Sequence, residues 1–188
     1  MNDTPASPDD FREQMVAIIP SLRAFARGLC GNVSMADDLA QDAMMRALAA
    51  RKSFTPGTNF KGWMFTILRN QYYSSIRKNS RMVSWDPEAA ERILVQAEPQ
   101  QHAIHLADLE KALQKLPPEQ REILLLIGAE GASYEEAAQI TGCPIGTIKS
   151  RVARGRAALT VLINGQASPC QISDGRSPVR QAIIEMAG

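Results

Sequence analysis

A chain of 188 residues, 45% hydrophobic and 5% aromatic with a net charge of +1, is long enough for one large domain or two small ones, each able to bury a core. Too few aromatics and β-branched runs are present for a β-sandwich, and the supply of Ala, Leu, Met, Gln and Arg favours helix. No apolar run approaches the roughly 20 residues needed to span a bilayer, and the start MNDTPASPDD lacks the basic and apolar regions of a signal peptide, so a cytoplasmic protein is expected.

The small net charge conceals blocks. Residues 1–42 carry seven acids and three bases, residues 43–85 eight bases and no acid, and residues 86–136 eleven acids and four bases; no acid then occurs until Asp174. Two basic surfaces alternating with acidic ones are either solvated faces or places where nucleic acid and a protein partner are touched. Cys30, Cys143 and Cys170 are widely separated with no C-x-x-C pair, which indicates neither disulfides nor zinc. His102 and His105 lack a third ligand nearby, so no metal or other cofactor is expected.

In chain order, Phe11, Met15, Ile18, Leu22, Phe25 and Leu29 recur three and four apart and predict a helix from about Asp9 to Leu29, kinked or broken at Pro20 and ended by Gly31-Asn32. Ser34, with Asp37 three residues on, is the expected cap of a second helix whose apolar side is Leu39, Ala43, Met44, Ala47 and Leu48. Its acids Asp37, Asp38 and Asp42 either complement the helix dipole or form a binding face. Turn residues from Phe54 to Asn59 lead into a third helix over 60–78, with Phe60, Trp63, Met64, Ile67, Leu68, Tyr72 and Ile76 on its apolar side. Lys61, Arg69, Asn70, Gln71, Tyr73, Ser74, Ser75, Arg77 and Lys78 surround the rest with cations, amides and a ring, a mixture suited to melted or single-stranded DNA.

Beyond Arg81 the periodicity fades through Pro87, Pro99 and Gln100-Gln101. Leu106, Leu109, Leu113 and Leu116 open a second helical domain, Leu116-Pro117-Pro118-Glu119 separates two helices, and Ile123, Leu124 and Ile127 are buried by the next. Ser133 and Glu136 form a capping box, Gly142-Cys143-Pro144 makes a stop of about three residues, and apolar spacing resumes at Ile145, Ile148, Val152, Ala153, Leu159 and Leu162. Thr147, Lys149, Ser150, Arg151, Arg154 and Arg156 fall largely off that stripe, giving a helix-turn-helix with a basic, hydroxyl-bearing recognition helix. The expected architecture is all-α: a domain over residues 9–82, a flexible linker over 83–105, a second domain over 106–164 and a tail over 165–188, whose Val179, Ile183, Ile184 and Met186 could make one amphipathic turn.

Several of these stretches resemble the bacterial extracytoplasmic-function sigma factors, over roughly Phe11 to Ile163. LPPEQREILLL followed by SYEEAAQITGCPIGTIKSRVARGRAAL is similar to the family's region 4, ADDLAQD to its region 2 motif, and FKGWMFTILRNQYYSSIRK to its minus-ten segment; IIPSLRAFARGL resembles the general-stress branch of alphaproteobacteria. The resemblance implies that Asp38, Leu39, Gln41 and Asp42 contact the clamp helices of core RNA polymerase. It matches Asn70 to the start of the minus-ten reading loop, and Arg69, Gln71, Tyr73, Ser74, Arg77 and Lys78 around it are expected to meet the same element; it matches Lys149, Ser150 and Arg154 to contacts on the minus-thirty-five duplex, with Thr147 at the same helix end and Arg151 beside them expected to join. It further implies promoter-specific initiation at stress-response genes, with an anti-sigma factor as antagonist, and neither a membrane nor a small-molecule substrate as partner. The alternative is a stand-alone helix-turn-helix regulator, which leaves the basic helix at 60–78 unexplained. No catalytic triad, metal set or phosphate loop suggests an enzyme.

Overall fold

The computed structural model describes residues 8–83 and 101–164, and every regular element among them is helical. The expected linker and tail lie largely outside the described residues, as do the side chains of His102 and His105.

Helix α1 (Pro8–Cys30) runs through Pro20 without a break. Pro20 is exposed while Ile18 and Leu22 on either side are buried, so the lost donor sits at the solvent face and packing holds the helix across it. Gly31 ends it at φ 67°. Helix α2 (Val33–Ala49) begins two residues earlier than Ser34 would place it: Asn32 is the cap, its side-chain oxygen accepting from the Met35 amide at 3.0 Å. No acid then lies in the first turn, which removes the dipole account of Asp37; that carboxylate instead accepts from Arg23 Nε of α1 at 2.9 Å. Helix α3 (Phe60–Val83) is capped by Asn59, whose Oδ1 accepts from the Gly62 amide.

These three helices bury Leu22, Phe25, Ala36, Ala43, Met64, Phe65 and Leu68 between them. A ring cluster of Phe11, Phe54, Phe60 and Trp63 closes one end, with Phe11 edge-on to Phe60 at 5.4 Å. Ile76, expected on the apolar side, is 38% exposed, whereas Phe65, absent from that expectation, packs on Phe25 at 4.9 Å.

The second domain opens with α4 (Gln101–Gln114), which starts inside the stretch expected as linker, followed by α5 (Pro118–Leu124). A π turn, Leu125–Ala129, extends α5 and lets Glu130 reach back to the Leu125 carbonyl at 3.0 Å. Then come α6 (Tyr134–Thr141) and α7 (Ile145–Asn164). Gly155 of α7 lets α5 approach: a β-carbon there would stand 3.1 Å from Leu124 Cδ1.

The two domains pack on each other. Arg121 of α5 is buried, and its Nη1 donates to the Leu29 carbonyl at the end of α1 at 2.6 Å as well as to Gln114 Oε1. Its Nη2 reaches the carbonyls of Gln114 and Leu116 at 3.1 and 3.2 Å, so one guanidinium satisfies helix-end acceptors from both domains. Gln114 Nε2 donates to the Gly28 carbonyl at 2.8 Å, and Gly28 itself faces the Leu125 side chain with no room for a β-carbon.

Candidate functional site

Three surfaces carry the residues singled out by sequence. On α7 the expected helix-turn-helix is present in detail. Ser133 Oγ accepts from the Glu136 amide at 3.0 Å while Glu136 Oε2 accepts from the Ser133 amide at 2.8 Å, and Gly142 takes φ 68° before α7 starts. Ile148, Val152 and Leu159 are buried, which turns Lys149, Ser150 and Arg154 to solvent and leaves Thr147 half-buried at the N-terminal end. Ser150 donates to the Thr147 carbonyl and Arg154 Nε to the Ser150 carbonyl at 3.3 Å, so the hydroxyl and the guanidinium share one side of the helix. Arg151 differs from the others. Its guanidinium folds back, with Nη1 on Cys143 Sγ at 3.4 Å and Nη2 3.8 Å from Glu119, and it braces the turn rather than facing outward. Ala153, expected in the buried stripe, is exposed.

On α2 the exposed row is Asp38, Gln41 and Asp42, continued one turn on by Met45 at 62% and Leu48 at 48% exposure. Leu39 does not belong to that surface: it is 7% exposed and packs into the core beneath it, because the period that exposes Asp38 and Asp42 turns position 39 inward. Leu48, expected on the apolar side by its spacing, is thus exposed, and Met45 was not singled out in the sequence. An acidic row joined to two uncovered apolar side chains is what a protein partner covers, since water solvates the former and gains nothing from the latter.

On α3, Asn70, Ser74, Arg77 and Lys78 are exposed. Gln71 donates to Asp42 Oδ2 at 3.2 Å, linking this surface to the α2 row. Arg69 and Tyr73 are instead drawn into the contact with the second domain: Arg69 Nε stands 2.6 Å from Glu122 Oε1, and the Tyr73 hydroxyl donates to Glu122 Oε2 at 3.0 Å. The Arg69 pair is a charge contact without hydrogen-bond alignment, and the guanidinium also lies 4.8 Å from the Tyr73 ring centre. Glu122 is fully buried; burial pushes its carboxyl above the ordinary range, outweighing the downward pull of Arg69 and of the Tyr73 hydroxyl. Burial, and then the Glu122 charge, likewise push the Tyr73 phenol well up. Sequence reading missed Arg121 and Glu122, since two charged residues beside Ile123 read as the wet side of an amphipathic helix.

Family models match the chain twice: Sigma-70 region 2 over residues 16–82 and Sigma-70 region 4 over residues 106–159. The chain is 48% identical over 156 residues to the ECF RNA polymerase sigma factor EcfG of Rhodopseudomonas palustris, covering 82% of this chain and 86% of that one. This chain is an extracytoplasmic-function sigma factor. Among solved structures, the sigma factor RpoE of Bartonella quintana, crystallised with the anti-sigma factor NepR, superposes with a TM-score of 0.77 at 44% identity, covering 85% of this sigma factor and 99% of that chain. CnrH, at 23% identity and a TM-score of 0.64, shares the fold. The region 2 match accounts for the α1–α3 domain that a stand-alone regulator leaves unexplained. Among the described residues, no helix is long and apolar enough to cross a membrane.

Proposed function

We propose that this sigma factor binds core RNA polymerase through the α2 row, reads the minus-ten element with α3 and the minus-thirty-five duplex with α7, and initiates transcription at stress-response promoters in the cytoplasm. The observation that carries the reading is that one chain presents both sigma regions, each with its own exposed polar helix face. Asp38, Gln41 and Asp42 make the polymerase contact with Met45 and Leu48 beside them, and Leu39 supports it from below. On DNA, Asn70, Ser74, Arg77 and Lys78, all exposed on α3, act together with Arg69, Gln71 and Tyr73. On α7, Thr147, Lys149, Ser150 and Arg154 face the duplex, and Arg151 holds the turn that aims them.

Neither domain offers many phosphate contacts, and non-specific affinity of this kind is typically about 10⁻⁴ to 10⁻⁶ M at physiological salt. Mounting both on polymerase fixes their spacing, so the second element binds at a high effective concentration. The domain boundaries follow from this reading: 9–82 for region 2, 83–105 for the connector, 106–164 for region 4 and 165–188 for the tail. The antagonist is a small helical anti-sigma protein, a reading supported by the Bartonella relative crystallised with NepR.

The test is co-elution with core polymerase and transcription from genomic fragments. A defined start with paired upstream and downstream elements is the expected result. Asp42→Arg, which reverses a charge on an exposed face, abolishes co-elution while leaving the helical circular dichroism unchanged. Normal polymerase binding by that folded variant would overturn the α2 assignment.

A further inference from the structure

The second domain holds an apolar hollow that none of its described side chains fills. Leu109 and Leu113 of α4, Leu124 of α5 and Leu159 of α7 wall a cavity of about 30 Å³ that is partly open to solvent. That is room for the end of one aliphatic side chain, far below the roughly 300 to 1,000 Å³ of a small-molecule pocket. The π turn helps to create it: Gly128 and Ala129, in the widened stretch Leu125–Ala129, lie in its wall, and neither has a side chain long enough to occupy the space. The lining is apolar except for Arg156, an exposed residue of α7 with no acidic partner among the described residues. Water solvates the guanidinium and gains nothing from the hollow, so the group that suits this place is an aliphatic side chain with an acid close by.

We propose that the occupant is this chain's own residues 178–186: the stretch folds back as a short amphipathic helix, seats Ile183 in the hollow and sets Glu185 beside Arg156. It lies outside the described residues, and its sequence supplies each part. Ser177-Pro178 is a helix start, a capping hydroxyl ahead of a proline at the first helical position. Val179, Ala182, Ile183 and Met186 then recur at the spacing of one helical face, with Glu185 at its flank. Connection favours the same segment. Helix α7 ends at Asn164, only about 7.5 Å along its axis beyond Leu159. The 13 residues of 165–177 reach up to about 43 Å when extended, and Gly165, Pro169 and Gly175 suit the reversal of the chain. A segment so tethered meets the hollow at roughly millimolar effective concentration, which a second copy of the chain or a separate protein has to match. Docking there leaves Lys149 uncovered, about 15 Å along α7 from Leu159. The docked helix ties α4 to α7, and any other helix that uses the hollow has to displace it.

The experiment is hydrogen exchange of the full chain followed by mass spectrometry, at two protein concentrations about tenfold apart, with light scattering for mass. In the parent chain the amides of 179–186 should exchange about tenfold or more slowly than unstructured peptide, equally at both concentrations. Ile183→Asp should abolish that protection and loosen the amides of Leu125–Ala129 with it, leaving α6 unaffected. Arg156→Glu, at an exposed position, should weaken the protection about threefold, and adding Glu185→Arg should restore it, which a merely destabilised α7 would not allow. Unprotected 179–186 in the parent chain would overturn the proposal and leave the hollow to another protein's helix. Protection that falls on dilution together with the scattering mass would overturn it in favour of a second copy. Protection that Ile183→Asp removes with no change at Leu125–Ala129 would overturn it by seating the segment elsewhere.

Discussion

The two helices proposed to meet DNA are in opposite states. On α7, Lys149, Ser150 and Arg154 are turned to water and hold only each other or their own backbone. On α3, two of the seven residues assigned to DNA are sequestered by the other domain, and a third, Gln71, is tied to Asp42. The difference follows from what each face must meet. Duplex DNA needs no preparation, so its reader can stand open at modest intrinsic affinity. A melted strand exists only after polymerase has engaged, and a reader of unstacked bases left open would hold any single strand it met.

The largest effect on this asymmetry is expected from Arg121→Ala. It removes donors from the Gln114 side-chain oxygen and from the carbonyls of Gln114 and Leu116, while the Leu29 carbonyl keeps the Tyr72 hydroxyl; the acceptors left unsatisfied cost about 3 kcal/mol or more in total. Urea unfolding should show that loss. Hydrogen exchange should place it at the end of α1 and the start of α5, with the helix-turn-helix amides unaffected. A uniform loss of protection over both domains would mean that the contact is not a separable seam. Next in size is Arg154→Ala, which sharpens the contrast from the open side. It should weaken binding of the upstream duplex by about 1 to 3 kcal/mol if the guanidinium reads a base, with scattering from the free chain unchanged. An unaltered sequence preference across promoter variants would remove Arg154 from the readout.

A smaller, pH-dependent effect belongs to Glu122. Its carboxyl is raised above the ordinary 4.5 in the closed chain, chiefly by burial, so the native state keeps its proton after the unfolded chain has lost its own. Its contribution is therefore fully present below the ordinary value and declines as pH rises toward the raised one, where it levels off. Asp37 works in the other sense: the bond from Arg23 lowers its pKa, and its contribution fades as pH falls. The two are separated by comparing the parent chain with Glu122→Gln. The neutral amide should flatten the loss between mildly acidic and neutral pH and leave the acid limb in place. Parallel pH profiles for the two proteins would refute the assignment.

What the sequence made legible and what it hid divide along the same line. The helix-turn-helix could be bounded from sequence because its determinants are local: Ser133 and Glu136 are three residues apart, and Gly142 needs only its own left-handed backbone. On α2 the helical period placed Leu39 on the apolar side, where it is buried, and left Asp38 and Asp42 exposed, but it could not foresee the exposure of Leu48. Asn32 displaced Ser34 as the cap because two competent capping residues stood two apart and only the path of the chain out of Gly31 decides between them. The contact between the domains was illegible. Arg121 meets Leu29 across 92 residues and Tyr73 meets Glu122 across 49, and no periodicity encodes a charge whose partner lies in another domain. A buried charge also runs against the composition rule that sends Arg and Glu to the surface unless paired.

The smallest expected effect makes a native reporter of the seam. Cys30 ends α1 close to Arg121, and burial raises its thiol to about 11, with Arg121 pulling weakly the other way. At pH 8 the closed chain therefore holds little thiolate there, and alkylation by iodoacetamide, followed site by site by mass spectrometry, should be slow. Separation of the domains wets the thiol and moves it toward the ordinary 9.0, which raises the thiolate fraction and the rate together. Gly28→Leu should accelerate labelling of Cys30 relative to Cys143, which lies in the turn of the helix-turn-helix against Arg151 and serves as the internal reference. Adding core polymerase to the parent chain should produce the same selective acceleration if engagement separates the domains. Protection of Cys30 in the polymerase-bound state, with the Cys143 rate unchanged, would mean that the seam stays shut on the enzyme and that Arg69 and Tyr73 are released by some smaller movement of α5.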